Sequence, residues 1–205
     1  MIGIFNYAHC NVNSLCNALS ILSIKCRSSR NFEDLTNCKK IIFPGVGNMK
    51  AVSVKNIENL RSKIIKYLDT GGFIYGICLG LQFFFDFSEE SNQNTLGLIK
   101  GKTKKIYKNF GDELNVQFSS IINTDYKKQD TLNKLFKNLS YEEKFYFLHK
   151  YYCDSNDKQT IILHSKYKKR LMPSLFIKNN IIGTQFHPEL SKMPGLIFLK
   201  NFNLL

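Results

Sequence analysis

The fold is decided around residues 72–82, which read GFIYGICLGLQ. An apolar run rich in β-forming residues leads into a Gly-x-Cys-x-Gly sequence, and a new apolar segment follows at residues 81–87. This order of strand, sharp turn and helix is typical of a nucleophile elbow, with Cys78 in the place of the nucleophile. Gly76 and Gly80 allow the tight turn, and the helix N-terminus would favour the thiolate. The alternative is a buried cysteine at a strand end, which would be favoured only without these glycines.

The chain before the elbow alternates between strand and helix patterns. Short apolar strands are expected at residues 1–5, 41–43 and 73–77. One connecting helix would be capped by Asn13 or Ser14, and a longer one would begin at Asn48 and end at Gly71-Gly72. This alternation implies right-handed crossovers and an α/β fold, in which a mainly parallel central sheet has helices on both faces.

The second half of the chain is richer in β patterns. Strands are expected at residues 106–107, 116–122, 144–152, 159–164, 174–177 and 181–186. A short helix is expected at residues 131–139, and a closing helix at residues 196–202 after Pro194 and Gly195. We therefore predict one domain over residues 1–205, in which a smaller antiparallel β region accompanies the parallel sheet.

Composition limits the classes of protein to which the chain can belong. No apolar run reaches the length of a membrane span, and the first residues do not resemble a signal peptide. The six cysteines have scattered spacings, which argues against a zinc site and for a reducing, cytoplasmic location. We expect no metal, no cofactor and no membrane contact. The formal net charge of +13 is typical of nucleic-acid-binding modules, but the lysines are dispersed, so this class stays a minor alternative.

A second group of candidate residues closes the last long β pattern, where residues 183–189 read GTQFHPE. A thiolate nucleophile needs a base, and the base needs an acceptor that fixes its orientation. His187 and Glu189 would fill these roles for Cys78 at the carboxyl ends of the strands, where active sites of such sheets lie. Alone, His-Pro-Glu is more often a surface loop, so the triad depends on its combination with the elbow.

These motifs together resemble those of the class I (triad) glutamine amidotransferases. The resemblance is carried by GICLGLQ at residues 76–82, PGVG at residues 44–47 and QFHPE at residues 185–189. More narrowly, the chain resembles the glutaminase subunits of imidazole glycerol phosphate synthases of bacterial histidine biosynthesis. The segments that narrow it lie at residues 4–7, 87–91, 146–152 and 199–202.

The resemblance implies a reaction. Cys78 would attack the side-chain amide of glutamine, ammonia would leave, and water activated by His187 would release glutamate from the thioester. Glu189 would orient His187.

The resemblance also implies the groups that hold the substrate. The oxyanion would be bound by the backbone N–H of Leu79 and by one from Val46 or Gly47. Gln82 and Glu90 would hold the amino-acid end of glutamine, with Glu90 pairing with its ammonium.

The family resemblance further implies a partner. Ammonia would pass to a (β/α)₈-barrel cyclase subunit, which makes imidazole glycerol phosphate and an aminoimidazole carboxamide ribotide. Tyr146, His149 and Lys150 would lie at the interface of this heterodimer. Leu190 stands where the family usually has an interface lysine, and Lys150 where it usually has serine.

Because these departures concern the partner side, other functions remain open. One is a paralogous subunit that supplies ammonia for amidation of a surface sugar or a nucleotide-activated sugar. Another is a cysteine hydrolase of a different substrate, such as a peptidase, although Gln82 and Glu90 argue against it.

Overall fold

A computed structural model describes residues 1–8, 10–52, 54, 56–106, 114–123 and 130–205. The helices within these ranges are α1 (Val12–Ile21), α2 (Ile57–Asp69), α3 (Leu79–Phe83), α4 (Asp130–Leu135) and α5 (Lys192–Leu204). The strands of the first half are β1 (Ile2–Phe5), β2 (Cys26–Ser29), β3 (Lys40–Phe43), β4 (Phe73–Ile77), β5 (Phe87–Ser88), β6 (Gln93–Asn94) and β7 (Gly101–Lys105). Those of the second half are β8 (Asn115–Ile122), β9 (Lys144–His149), β10 (Tyr151–Ser155), β11 (Ile161–Tyr167), β12 (Arg170–Lys178), β13 (Ile181–Thr184) and β14 (Phe186–His187).

The larger sheet has the strand order β14-β9-β8-β11-β12-β13-β4-β3-β1-β2 in the described part of the chain. Its strands are parallel from β2 to β13, which is the geometry that right-handed crossovers produce. The α/β class is confirmed. From β13 to β14 the pairing is antiparallel, so much of the antiparallel region continues the central sheet. A smaller sheet has the order β10-β7-β5-β6.

The parallel half contains one strand that the sequence pattern did not reveal. Strands β1, β3 and β4 match the three predicted apolar runs. Strand β2 reads CRSS, lies at the edge of the sheet and exposes two of its four residues. An edge strand buries little apolar surface, so its sequence carries no run of buried residues to detect.

The prediction that a long helix begins at Asn48 was wrong. Asn48 caps a single 3₁₀ turn, Met49–Ala51, and α2 begins only after Asn56, whose side chain accepts a hydrogen bond from the backbone N–H of Asn59. Either asparagine can cap a helix, so composition did not separate them. The predicted end was right, because Gly71 follows α2 with φ of +84°.

The starts of two other helices also differ from the prediction. Helix α1 is capped by Asn11, which accepts from the backbone N–H of Ser14 at 3.2 Å, so the cap predicted at Asn13 or Ser14 was wrong. Helix α5 includes Pro194 and Gly195 instead of following them. Proline fits there because the first-turn N–H groups of a helix have no intrahelical partner.

The long β pattern predicted at residues 144–152 is two strands that belong to different sheets. Strand β9 lies in the larger sheet and β10 in the smaller one, and the chain crosses between them at Lys150. The strand predicted at residues 159–164 is β11, which begins two residues later than predicted because Lys158–Thr160 is a 3₁₀ turn. Tyr107, predicted to lie in a strand, is outside the described residues.

Two apolar cores cover opposite faces of the larger sheet. One contains side chains of α1 and α5, such as Leu19 and Phe198. The other contains side chains of α2 and α3, such as Ile64 and Phe83. Cys78 belongs to the first core and the next residue, Leu79, to the second, so the chain crosses the sheet edge at the elbow. Within the described residues, no helix combines the length and apolarity needed to cross a membrane.

Candidate active site

The elbow holds Cys78 in a strained backbone conformation between β4 and α3. Its φ is +49° and its ψ −98°, a region that costs a non-glycine residue about 1–3 kcal/mol. The surrounding structure compensates for this strain. The backbone N–H of Cys78 donates to the carbonyl of Thr184 on the neighbouring strand at 2.7 Å.

The two glycines beside Cys78 are required because α3 lies very close to the strands. A Cβ atom on Gly76 would come within 2.5 Å of the backbone nitrogen of Leu81, and one on Gly80 would overlap the carbonyl of Phe43. The glycines therefore permit close packing as well as the turn that the sequence predicted.

His187 and Glu189 form a buried pair next to the elbow. His187 Nδ1 lies 2.8 Å from Glu189 Oε1, and the side chains are 0% and 5% exposed. Burial lowers the pKa of His187, but interactions with Glu189 and Cys78 outweigh it and hold this pKa well above its ordinary value. His187 Nε2 is buried without another hydrogen-bond partner among the described residues. The pair can therefore hold an imidazolium beside the Cys78 sulfur.

Gln185 also contacts the sulfur, and the sequence motifs did not predict a role for it. Its Nε2 amide group donates to Cys78 Sγ at 3.5 Å, and the residue is fully buried. A donor at this position stabilises a thiolate. The available signal was its place two residues before His187, since residues at this spacing lie on the same side of an extended segment.

The PGVG loop that follows β3 lies against the elbow. Leu79 N–H donates to the carbonyl of Gly45 at 3.4 Å, and a Cβ on Gly45 would overlap Leu79. Val46 and Gly47 line the same cavity as Cys78, and Gly47 has φ of +145°. The structure thus brings the predicted oxyanion residues together, but Leu79 N–H donates to the loop in this conformation.

Tyr7 fixes the beginning of that loop. Its hydroxyl donates to the carbonyl of Pro44 at 3.0 Å, and its ring stacks on Phe83 of α3 at 5.1 Å between centroids. One buried side chain therefore ties the loop to the helix that carries the elbow.

A cavity of about 270 Å³ opens beside Cys78. Its walls include the predicted residues Val46, Gly47, Leu79, Gln82, Glu90, His149 and Lys150. A larger cavity of about 500 Å³ lies near the ends of β1 and β2 and contains none of them. We take the smaller cavity as the candidate site, because it combines a nucleophile with charged groups of both signs.

Glu90 and Lys150 supply those charges. Glu90 Oε2 accepts from the backbone N–H of Met49 at 2.8 Å. Burial raises the pKa of Glu90, partly offset by this hydrogen bond and by the charges of Lys50 and Lys150. Lys150 is exposed, and no ion pair within 4.0 Å joins it to Glu90.

Gln82 and His149 both contact the carbonyl of Tyr151, in the part of the cavity wall that β9 and β10 contribute. Gln82 Nε2 donates to it at 3.2 Å, and His149 Nδ1 lies 2.9 Å from it. Because a carbonyl only accepts, Nδ1 carries the proton, and Nε2 accepts from Asn115 Nδ2 at 2.9 Å. Burial lowers the pKa of His149 to about 4, the hydrogen bond to Tyr151 opposes this, and His187 lowers it further.

The imidazole of His149 is therefore buried and neutral, with both nitrogens engaged inside the chain. It forms part of the cavity wall. Tyr146, by contrast, is half-buried and packs against Phe118 at 5.2 Å between ring centroids.

An exposed apolar stripe next to the cavity runs from Leu114 into β8. Leu114, Val116 and Phe118 are each more than two-fifths exposed, and Leu114 also lines the cavity. Lys192 Nζ lies 5.4 Å above the Phe118 ring. Strand alternation places Val116 and Phe118 on one face of the sheet, and this face continues into the cavity mouth.

The family description "Glutamine amidotransferase class-I" matches residues 4–204. The chain belongs to this family. Curated relatives are named "Imidazole glycerol phosphate synthase subunit HisH". That of Leptospira borgpetersenii is 34% identical, and that of Methanocaldococcus jannaschii 36%, each over 98% of both chains.

Solved structures support the same fold. "Structure of PurLQS from Thermotoga maritima" gives a TM-score of 0.71 at 17% identity, over 99% of this chain and 97% of that one. "Crystal structure of glutamine amidotransferase" gives 0.68 at 16% identity, over 98% of each chain.

Proposed function

We propose that this chain is the glutaminase subunit of an imidazole glycerol phosphate synthase. In this proposal, residues 1–205 act as one cytoplasmic domain that hydrolyses glutamine to glutamate and passes ammonia to a (β/α)₈-barrel cyclase. The cyclase makes imidazole glycerol phosphate and an aminoimidazole carboxamide ribotide in histidine biosynthesis. The observation that carries the chemistry is the buried His187–Glu189 pair beside the strained elbow at Cys78.

The first half-reaction uses the charged form of the pair. The Cys78 thiolate attacks the amide carbon of glutamine, and the His187 imidazolium gives its proton to the departing ammonia. The raised pKa of His187 keeps this proton available at neutral pH. Glu189 holds Nδ1–H, so that Nε2 faces the reacting atoms.

The second half-reaction uses the neutral imidazole that the first one leaves. His187 Nε2 takes a proton from water, and the resulting hydroxide attacks the thioester carbon. The bond to Cys78 Sγ then breaks and glutamate leaves. The thiolate and imidazolium are thereby restored.

The oxyanion of both steps needs N–H donors that are free to bind it. In the proposal, Leu79 N–H leaves the Gly45 carbonyl, to which its present hydrogen bond is long at 3.4 Å. A second donor comes from Val46 or Gly47. Removal of one such donor typically costs about 10²–10³ in rate, so a conformation in which the loop occupies Leu79 has low activity.

The charges in the cavity favour a free amino acid over a peptide. A free α-amino acid carries an ammonium and a carboxylate on one carbon, whereas both groups are consumed in a peptide chain. Glu90 fits the ammonium and Lys150 the carboxylate, because each lines the cavity and neither neutralises the other in an ion pair. Gln82 holds the Tyr151 carbonyl that shapes this end of the cavity.

The proposed barrel subunit would dock on the stripe of Leu114, Val116 and Phe118. Exposed apolar surface next to a polar cavity is typical of a protein interface. Tyr146 packs on Phe118 and would share the interface, and Lys150 lies at the cavity mouth. A partner on this face would cover the opening beside Cys78, so that ammonia passes to the partner and not to solvent.

Glutamate release measured with and without a co-expressed barrel subunit tests the proposal. We expect release that increases when the barrel subunit is bound, and loss of release in Cys78→Ser. The absence of release under both conditions, or full activity in Cys78→Ser, would contradict glutaminase chemistry. Glutaminase activity that responds only to a sugar-modifying partner would instead favour the paralogous function.

A further inference from the structure

A pair of cysteines outside the active site brings two sulfur atoms together. Cys16 lies on α1 and Cys26 begins β2. Their Sγ atoms are 3.6 Å apart, with the Cys26 thiol donating to Cys16. Both residues are half-buried, as is Cys10, whereas Cys38, Cys78 and Cys153 are buried. We propose that Cys16 and Cys26 form a dithiol site that a small-molecule disulfide oxidises to an intramolecular disulfide.

The geometry suits closure with little movement. A disulfide bond is about 2.0 Å long, so the two sulfur atoms must approach by about 1.6 Å. Both cysteines lie near the periphery, and a surface groove of about 460 Å³ contains them together with Ser20, Ser23 and Lys25. Neither cysteine lines the cavity that contains Cys78. The site is therefore open to a small oxidant and separate from the proposed catalytic thiol.

The reaction balances with oxidised glutathione as the oxidant. The Cys26 thiolate attacks one sulfur of glutathione disulfide, which forms a mixed disulfide and releases one glutathione thiolate. The Cys16 thiolate then attacks Cys26 Sγ and releases the second glutathione thiolate. Two protein thiols are oxidised and one glutathione disulfide is reduced to two glutathione molecules, with the two thiol protons passing to the glutathione thiolates or to solvent.

The environment of Cys16 sets the speed of the second step. In the dithiol, burial and the neighbouring Cys26 raise the pKa of Cys16 to about 11. Once Cys26 is bonded to glutathione, burial alone keeps the pKa of Cys16 raised. Since only the thiolate is nucleophilic, ring closure should accelerate by about tenfold per pH unit between pH 7 and pH 9.

Mass spectrometry of the full chain treated with oxidised glutathione tests the proposal. The experiment is done in a Cys78→Ser background, which removes the proposed catalytic thiol. We expect one cross-linked peptide that contains Cys16 and Cys26, has lost two hydrogen atoms and carries no glutathione. Further replacement of Cys16 by serine should stop the reaction at a stable glutathione adduct of Cys26. Cys26→Ser removes the attacking thiol and should abolish the disulfide, whereas Cys38→Ser should leave it unchanged.

Three results would overturn the proposal. In the first, both thiols remain open to alkylation after treatment. In the second, glutathione adducts accumulate without a protein disulfide even though both cysteines are present. In the third, the cross-linked peptide joins Cys16 or Cys26 to a different cysteine.

Discussion

Two buried histidines near the cavity are in opposite states. Next to the first wall, which Cys78 lines, the carboxylate of Glu189 and the sulfur of Cys78 raise the pKa of His187 despite its burial. In the second wall, which His149 and Tyr151 line, His149 hydrogen-bonds to a carbonyl and an amide, and burial lowers its pKa to about 4. Burial penalises the charged form in both cases, so the contacting groups decide the outcome.

This difference in pKa indicates a catalytic role for His187 and a structural role for His149. The pair of His187 and Glu189 next to the first wall can hold and transfer a proton near neutral pH, as general acid–base catalysis requires. In the second wall, a neutral His149 fixes the Tyr151 carbonyl and shapes the cavity. The charge of His187 also contributes to the lowered pKa of His149.

The largest expected effect is the loss of the proton carrier. His187→Asn removes the group that protonates ammonia and activates water, so glutamate release should fall by about 10³–10⁴-fold. The measurement is steady-state glutamate production with saturating glutamine and barrel subunit. A variant that keeps more than a tenth of the activity would show that the first wall does not carry the chemistry.

The second expected effect is that His149 makes the folded chain less stable at acidic pH. Between pH 6.5 and about 4, the unfolded chain binds a proton at this position and the folded chain does not. The free energy of unfolding should therefore fall as pH decreases across this window, by about 3 kcal/mol. Urea unfolding at several pH values measures it, and His149→Gln should remove this part of the slope.

His187→Gln is the matched control, because His187 affects stability in a different pH range. A raised pKa means that the folded chain keeps the proton, so the stabilising contribution is complete below pH 6.5 and is lost as pH rises through the folded pKa. This variant should change the dependence above pH 6.5 only. Identical unfolding curves for both variants would remove the contrast between the two histidines.

A third, smaller effect is expected from replacing Glu189, whose carboxylate raises the pKa of His187. Glu189→Gln keeps an acceptor for Nδ1–H but removes the charge, so the pKa of His187 should fall. The alkaline limb of the profile of kcat/KM against pH should move to lower pH, and activity at pH 8 should decrease by about 10²-fold. Glu142→Gln, an exposed carboxylate before β9, should have no such effect. An unchanged profile for Glu189→Gln would contradict the assigned cause.

The sequence predicted the catalytic wall because its signals are local. The glycines around Cys78 and the two-residue spacing of His187 and Glu189 are visible within short stretches, and β4 was predicted with its observed bounds. The roles of these residues stay predictions, but the structure brings the three side chains into one buried group.

The surroundings of His149 could not be predicted from the sequence, because they depend on contacts between residues that are far apart in the chain. The hydrogen bond that occupies Nε2 of His149 comes from Asn115, 34 positions away. The break between β9 and β10 at Lys150 follows from the change of sheet, and the apolar pattern continues across it. The hydrogen bond from Tyr7 to Pro44 joins two loops 37 positions apart. Such contacts are properties of the packed chain, and residue periodicity does not contain them.

The smallest expected effect concerns the charge beside His149. If Lys150 holds the substrate carboxylate, Lys150→Met should raise the KM for glutamine by about tenfold, which is the equivalent of one charge-assisted contact. The value of kcat should change little, because Lys150 does not contact the reacting atoms. Lys144→Met, an exposed lysine at the other end of β9, is the matched control and should leave both constants unchanged.

Labelling of Cys78 separates this role from an effect on the partner. Without a barrel subunit, an electrophilic glutamine analogue should label Cys78 more slowly in Lys150→Met, whereas neutral iodoacetamide should label both proteins equally. Equal labelling by the analogue, together with weaker binding of the barrel subunit, would assign Lys150 to the interface. The second wall would then act on the partner, and Glu90 alone would recognise the charged end of glutamine.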